Sequence, residues 1–462
     1  MNPPEPHTWQ NASPGDLDTL LEPVTTTDLE AAVGRSVKAF AQWRGTSLEE
    51  RIVALTACRE KLKGSEDELA RLIALEMGKP LTEARLEVAA VLGKFDFAFA
   101  DAREVIADRA VTDGPHPALI RHRGRGPAAV IAPFNFPIHL GHGAAVAYLL
   151  AGNTVLFKPS PVTAHVGAIY AALMQEALPE GVFELVQGWG SMGRALCVHP
   201  AVRSVCFTGS VPVGTALAKE LAGDYSKSLA LELGGRNALI VWEDADLAEA
   251  AKAAADGLCL TTGQRCNAST RILVHSAIEE PFQELLLESL KRYQPGCPLD
   301  LNTTLGPLAT QAAYERYKKL IGTSGDWLLA GEVLPECCGH RGYFVRPAIL
   351  KTESPTPFGV EEVFAPIATL ESFRTVEEAV ALQGTTPYGL TASIFTASEE
   401  IFRRLGEQLD VGNLYQNLPT TFSPSALPFG GLRNSGNGKP GGRGFIRFAV
   451  DEQSVQWRKL SA

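Results

Sequence analysis

The stretch 204–235, SVCFTGSVPVGTALAKELAGDYSKSLALELGG, decides how the rest of the chain is read. An apolar run at 204–207 gives way to Thr208-Gly209-Ser210, a helical pattern fills 213–222, and a second apolar run at 228–232 ends in Glu232, just before Leu233-Gly234-Gly235. Short apolar runs on either side of a 3.6-period segment make a β-α-β unit, which implies parallel strands joined by a crossover helix. Toward the N-terminus further strands are expected at 118–122, 128–132, 154–157 and 182–186, with a helix near 192–198. Toward the C-terminus a strand at 238–242, a helix at 247–260, a strand at 271–274 and a helix at 279–293 open a second alternating block that runs to about 426. The expected fold class is therefore α/β, with two doubly wound parallel-sheet lobes. Ahead of them, 27–108 carries apolar residues at helical spacing, such as Leu55, Leu62, Leu69 and Leu72. Thr27 or Asp28 caps the first of these helices, and Gly78-Lys79-Pro80 breaks the series.

The bulk properties narrow the function. The 462 residues suggest about three domains at roughly 150 residues each. Forty-two basic against 52 acidic side chains give a net charge of −10, the wrong sign for a broad nucleic-acid footprint. MNPPEPHTWQNASPGD lacks a basic start followed by an apolar core, so no signal peptide is expected. The apolar runs 144–151 and 127–133 fall far short of the ~20 residues of a membrane span. Eight cysteines show no C-x-x-C spacing and no neighbouring histidine cluster. These features point to a cytoplasmic protein with reduced thiols, no metal, and neither a membrane nor a nucleic-acid partner.

Several residues are candidates for chemistry. Cys266, in Gly263-Gln264-Arg265-Cys266-Asn267, sits on a predicted polar loop, whereas Cys206 and Cys259 lie in apolar runs. A nucleophilic thiol must be reachable, which makes Cys266 the best candidate, although most free cysteines are inert core residues. Glu232 ends a strand at the edge where open α/β sheets bind ligands; it is a candidate general base or an ordinary strand-end carboxylate. Asn135, held in Pro133-Phe134-Asn135-Phe136-Pro137, is either a rigidly presented donor for an oxyanion or a turn residue. The turn through Gly209, Ser210 and Gly214 leads a strand into a helix and can bring backbone N–H groups to a phosphate, although it is not G-x-G-x-x-G. Lys158 either reaches a ribose or phosphate oxygen or faces water.

The order of motifs resembles the aldehyde dehydrogenase superfamily. They are Pro-Phe-Asn-Phe-Pro at 133–137, Lys-Pro-Ser at 158–160, Phe-Thr-Gly-Ser at 207–210, Glu-Leu-Gly-Gly at 232–235, Gly-Gln-Arg-Cys at 263–266, Glu-Glu-Val-Phe-Ala-Pro at 361–366 and Pro-Phe-Gly-Gly at 428–431. The resemblance implies a nucleotide-binding domain (1–108 and 127–233), a catalytic domain (234–427), an oligomerisation element (109–126 and 451–462, its strand near 452–459) and a return segment (428–450). A homodimer or homotetramer follows from it. So do the roles of Cys266 as nucleophile, Glu232 as general base and Asn135 as oxyanion donor. Phe134, Lys158, Ser160, Gly209, Ser210, Gly214, Glu362 and Phe364 become contacts for NAD. Pro161 stands where the family usually has a Glu that repels a 2′-phosphate, so NADP is also an expected cofactor. Ala365 replaces a common Gly, and the N-terminal strand pair of many relatives is not expected.

Among subfamilies the chain most resembles the N-succinylglutamate 5-semialdehyde dehydrogenases of bacterial arginine catabolism, through 119–123, 135–140, 184–188 and 435–437. The implied activity is oxidation of an aldehyde to an acid through a cysteine thiohemiacetal and a thioester hydrolysed by water. Candidate anchors for an acidic small-molecule substrate are His139, Arg265, Asn267 and Lys439, each with a bland alternative such as pairing within its own loop. A general aldehyde dehydrogenase, a CoA-acylating relative and a non-catalytic nucleotide-binding protein are the competing readings. Glu232 argues against the acylating one, and the joint presence of Cys266, Asn135 and Glu232 against the last.

Overall fold

A computed structural model of the chain describes residues 6–112, 114, 116–353, 358 and 360–458. The far end of the expected C-terminal strand, at 459, lies outside the described residues, as do the outermost positions of the expected first and last segments, 1–5 and 459–462, and residues 113, 115, 354–357 and 359 within the others.

Helices Leu29–Trp43, Leu48–Gly64, Glu66–Met77 and Leu81–Val105 form the helical start. Asp28 caps the first by accepting the N–H of Ala31, and Ser47 with Glu50 makes a capping box on the second. Gly78 ends the third at φ +85°, a conformation that costs glycine little.

Two large sheets follow. In the first, the spatial order is 436–437, 228–232, 204–208, 128–131, 155–158 and 183–185, and all pairs are parallel except the edge with 436–437. The chain starts at the inner strand Ala128–Ile131, winds out through Val155–Lys158 and Phe183–Leu185, then returns to Ser204–Thr208 on the other side. That reversal creates a crevice at the carboxyl ends of the strands. In the second, the order is 326–329, 348–351, 367–373, 269–275, 237–241, 391–395 and 413–416, antiparallel only between the first two. Both sheets are covered on two faces by apolar side chains, which is why their strands read as continuous apolar runs. A third, antiparallel sheet joins Val450–Gln456, Ala118–Gly124 and Arg109–Val111.

One expectation is corrected. Ahead of the first helix, Thr8–Trp9 pairs with Val24–Thr25 and Ala12–Ser13 pairs with Asp16–Leu20, so N-terminal strands are present. Most are two residues long and carry no periodicity to read. They are held instead by long-range contacts, with Trp9 Nε1 and Asn11 Nδ2 both donating to the carbonyl of Pro161. Helix Val211–Leu221 also starts two residues before its expected position, because Pro212 suits a first turn.

Candidate active site

The four parallel strands 128–131, 155–158, 204–208 and 228–232 of the first sheet deliver five candidates to one edge. Asn135 follows Ala128–Ile131, Lys158 closes Val155–Lys158, Gly209 and Ser210 follow Ser204–Thr208, and Glu232 closes Ser228–Glu232. All of them line a cavity of about 420 Å³, together with Phe134, Ser160, Glu362, Phe364 and Cys266. Cys266 comes from the second sheet, on the loop between helix Leu247–Cys259 and strand Ser269–His275. The crevice between the two sheets is therefore where most of the predicted residues meet.

The loop before Cys266 is strained. Thr261 and Thr262 lie at φ +54° and +55°, and Gly263 follows at φ +67°. A left-handed β-branched residue costs about 1–3 kcal/mol, so the surroundings must hold it. Glu83 takes both the N–H and the hydroxyl of Thr261 at 2.9 Å, and Thr262 Oγ1 donates to Gly306 O, also at 2.9 Å. Side-chain Nδ2 of Asn237 donates to the carbonyls of Cys266 (2.8 Å) and Ala268 (2.9 Å). A Cβ on Gly263 would run into the backbone of Ala365 and Pro366. The nucleophile loop is thus interlocked with the Glu-Glu-Val-Phe-Ala-Pro loop, where Phe364 is itself at φ +52°.

Electrostatically the site is an enclosed acidic pair beside a thiol. Glu232 is buried, and neither carboxylate oxygen has a hydrogen-bond partner; burial, then the nearby Glu362, pushes its carboxyl well above the usual range. Glu362 is raised to about 7 by burial, against a stabilising bond from the N–H of Gly235 at 3.1 Å. Burial, Glu232 and Glu362 in turn hold the Cys266 thiol up. Asn135 donates one N–H to Gln264 O at 2.8 Å, which fixes its amide plane against the Cys266 loop. An amide has a second N–H donor. Lys158 is brought down to about 8 by burial, and its Nζ donates to Pro159 O at 3.2 Å.

The donor set suits a dinucleotide. Ser210 caps the 11-residue helix Val211–Leu221 without a side-chain capping bond, leaving its first N–H groups for an external anion. Phe134 and Phe364 stand edge to face at 5.8 Å in the same cavity, with a Cβ on Gly234 excluded by the Glu362 carboxylate. Gly214 departs from the expected phosphate contact. It does not line the cavity; its N–H closes onto Ser210 O, and a Cβ there would lie 2.6 Å from Leu233. Its small size serves helix-to-strand packing.

Cys266 also lines a second cavity, of about 100 Å³, with His139, Arg265, Asn267, Phe136 and Lys94. Three of the four expected substrate residues are brought together there. Arg265, however, is committed: Nη2 binds Glu83 at 3.0 Å, Nε donates to Thr261 Oγ1 at 2.9 Å, and the guanidinium lies over the Phe136 ring. Burial, then Lys94, holds the His139 imidazole well below its ordinary range. Lys439 lines neither cavity, since its half-buried side chain reaches toward Gly412 O instead. Sequence reasoning passed over Lys94, Glu83 and Asn237, and over Arg316, which lines the crevice and donates to the carbonyl of Glu362. The signal available for Lys94 was a lysine at a core position of a helix, between Val91 and Phe95.

A family model described as "Aldehyde dehydrogenase family" matches residues 8–455. The chain is 35% identical over 420 residues to the N-succinylglutamate 5-semialdehyde dehydrogenase of Chromobacterium violaceum, covering 89% of this chain and 85% of that protein. It is 34% identical to the sulfoacetaldehyde dehydrogenase of Neptuniibacter caesariensis, covering 89% and 90%. Among solved structures, 1-pyrroline-5-carboxylate dehydrogenase from Thermus with bound NAD superposes with a TM-score of 0.92 at 28% identity, covering 98% of this chain and 90% of that one.

Proposed function

The chain belongs to the aldehyde dehydrogenase family, and from that premise we propose that it oxidises an acidic semialdehyde, N-succinylglutamate 5-semialdehyde first among them, to the carboxylic acid with water as acyl acceptor. The observation that carries this reading is the position of Cys266 on the wall of both cavities, between the crevice lined by Lys158, Gly209 and Ser210 and the pocket lined by Lys94, His139 and Arg265.

Lys158, Ser160, Gly209 and Ser210 would hold the adenosine and phosphate half of NAD, and Phe134, Glu362 and Phe364 the nicotinamide end. The bound nicotinamide supplies the two-electron hydride acceptor. On the protein side, Cys266 adds as thiolate to the aldehyde carbonyl, forming the C–S bond of a thiohemiacetal. The free N–H of Asn135 holds the developing oxyanion. Loss of hydride leaves the acyl group on Cys266 as a thioester. Glu232, with both oxygens unpaired, takes a proton from water as it attacks, and the C–S bond breaks to release acid and regenerate the thiol. A carboxyl raised by burial is a stronger base than an exposed one once ionised.

The same proposal assigns nucleotide binding to 1–108 and 127–233 and catalysis to 234–427. The small antiparallel sheet, with most of Val450–Gln456 exposed, supports assembly into a homodimer or homotetramer. Light scattering of the purified protein measures that directly.

Cys266→Ala tests the core of the reading. Oxidation of every aldehyde should disappear while NAD affinity stays within a few-fold, because the thiol does the covalent chemistry and is not among the residues proposed to hold the nucleotide. Turnover above about 1% of wild type in that variant would refute the assignment. A panel of N-succinylglutamate 5-semialdehyde, succinate semialdehyde and butanal tests the substrate class through kcat/KM.

A further inference from the structure

Lys94 is the cation that the expected substrate anchors are not. It belongs to helix Leu81–Val105, on the face that buries Ala84, Val88, Val91 and Phe95, and is itself 8% exposed. Its Nζ donates to the carbonyl of His139 at 2.8 Å. Among the described residues it makes no other hydrogen bond and no ion pair. Glu87, the carboxylate whose field it feels, is already engaged: Lys79 holds it at 2.5 Å, and it accepts from the N–H groups of Ile138 and His139. Arg265 is paired with Glu83, and Arg443 with Asp101 and Glu104.

Its position has the same meaning. Lys94, Ser425 and Gly442 line both the Cys266 cavity and a smaller cavity of about 40 Å³ beyond it. The ammonium therefore stands at the end of the pocket remote from the crevice, with Phe136, Leu140 and Phe429 as apolar wall on the way to Cys266. A buried ammonium with no ion pair of its own is costly unless an anion completes it, and packing alone would be served by Met at this position. Burial brings the amine down to about 8, which an arriving oxyanion would reverse.

We propose that Lys94 determines specificity by binding the terminal oxyanion of the aldehyde while Cys266 holds the other end. This rests on the acidic-substrate reading above. A carboxylate and a sulfonate share the required chemistry.

The test uses the full-length enzyme with NAD, as wild type, Lys94→Met and Lys94→Gln, assayed on succinate semialdehyde, N-succinylglutamate 5-semialdehyde, sulfoacetaldehyde and butanal. Both variants should raise KM for the preferred acidic aldehyde at least tenfold, with kcat within threefold and butanal kinetics within twofold. The acid that loses most identifies the oxyanion. Wild-type KM for both acidic and neutral aldehydes is then followed from pH 7 to 9.5, which needs no variant to fold. The acidic KM, divided by that of butanal, should climb as pH passes about 8 and Lys94 loses its proton. The groups facing Lys94 are Glu87, itself paired with Lys79, and Asp101 on its own helix, His139 and His142 on the next, and Arg265 and Arg443 across the cavities. Burial holds both histidines below this range. If wild type prefers an acidic aldehyde but the variants keep its KM and the ratio is flat with pH, Lys94 is not the anchor. If wild type favours butanal over every acidic aldehyde, the substrate class itself falls, and this role with it.

Discussion

The Glu362 carboxylate accepts the backbone N–H of Gly235 at 3.1 Å, and this bond seats a second, half-buried acid in the cavity of Glu232. Two carboxylates that share a low-dielectric site raise each other's pKa, and the effect on Glu232 is second only to burial. Glu362→Gln removes that negative neighbour, so the Glu232 carboxyl should fall and more of it be ionised at pH 7. The acid limb of kcat, measured at saturating NAD from pH 5 to 8, should move to lower pH. A shift the other way would show that Glu362 does not act on Glu232 through its charge.

Glu232→Gln separates the two half-reactions. Acylation of Cys266 proceeds while hydrolysis has lost its base, so rapid mixing should reveal a burst of NADH equal to the active sites, followed by turnover at least 10²-fold slower than wild type. Slow acylation without a burst would place Glu232 on thiol activation instead.

Gly263→Ala asks whether the interlocked loops matter. The new Cβ meets the Ala365 backbone at a residue already at φ +67°. The variant should lose at least 10²-fold in kcat/KM. Its far-ultraviolet circular dichroism should not change, because the regular elements on either side are untouched.

Cofactor choice follows from an absence at one position. Pro161 offers no carboxylate, its carbonyl is occupied by Trp9 and Asn11, and Lys158 lies in the same cavity. Discrimination between NAD and NADP in kcat/KM should stay below about 10³-fold, or roughly 4 kcal/mol. A larger ratio would mean that another group reads the 2′ position.

A buried pair in the second sheet predicts stability. Arg271 on Ser269–His275 binds Glu371 on Ile367–Phe373 through two bonds of 2.9 and 2.6 Å, both side chains fully enclosed. Glu371→Leu strands the guanidinium and should cost about 3–5 kcal/mol, read from the urea midpoint. The double change Arg271→Met with Glu371→Leu should recover most of it.

The amino-acid order by itself determined the alternation of 204–235, the two doubly wound lobes and the residues presented at strand ends. A parallel strand buried on both faces must be an apolar run, and the residue after it must stand at the sheet edge. Glu232 and Asn135 were legible as candidates for that reason, and Cys266 because its neighbours are polar where those of Cys206 and Cys259 are apolar. The two-residue N-terminal strands were not, because long-range contacts, such as those to Pro161 some 150 residues away and that of Tyr343 N–H to Pro14 O, hold that segment in place. Nor was the packing use of Gly214, which depends on how Leu233 approaches it. The proposal of Lys94 as cationic anchor, in place of Arg265 or Lys439, needed the tertiary structure most. Which of several cations stays unpaired depends on where Glu83 and Glu87 end up, and folding brings Glu83 to Arg265, 182 residues further along the chain, while joining Glu87 to Lys79 and leaving Lys94 facing the cavity.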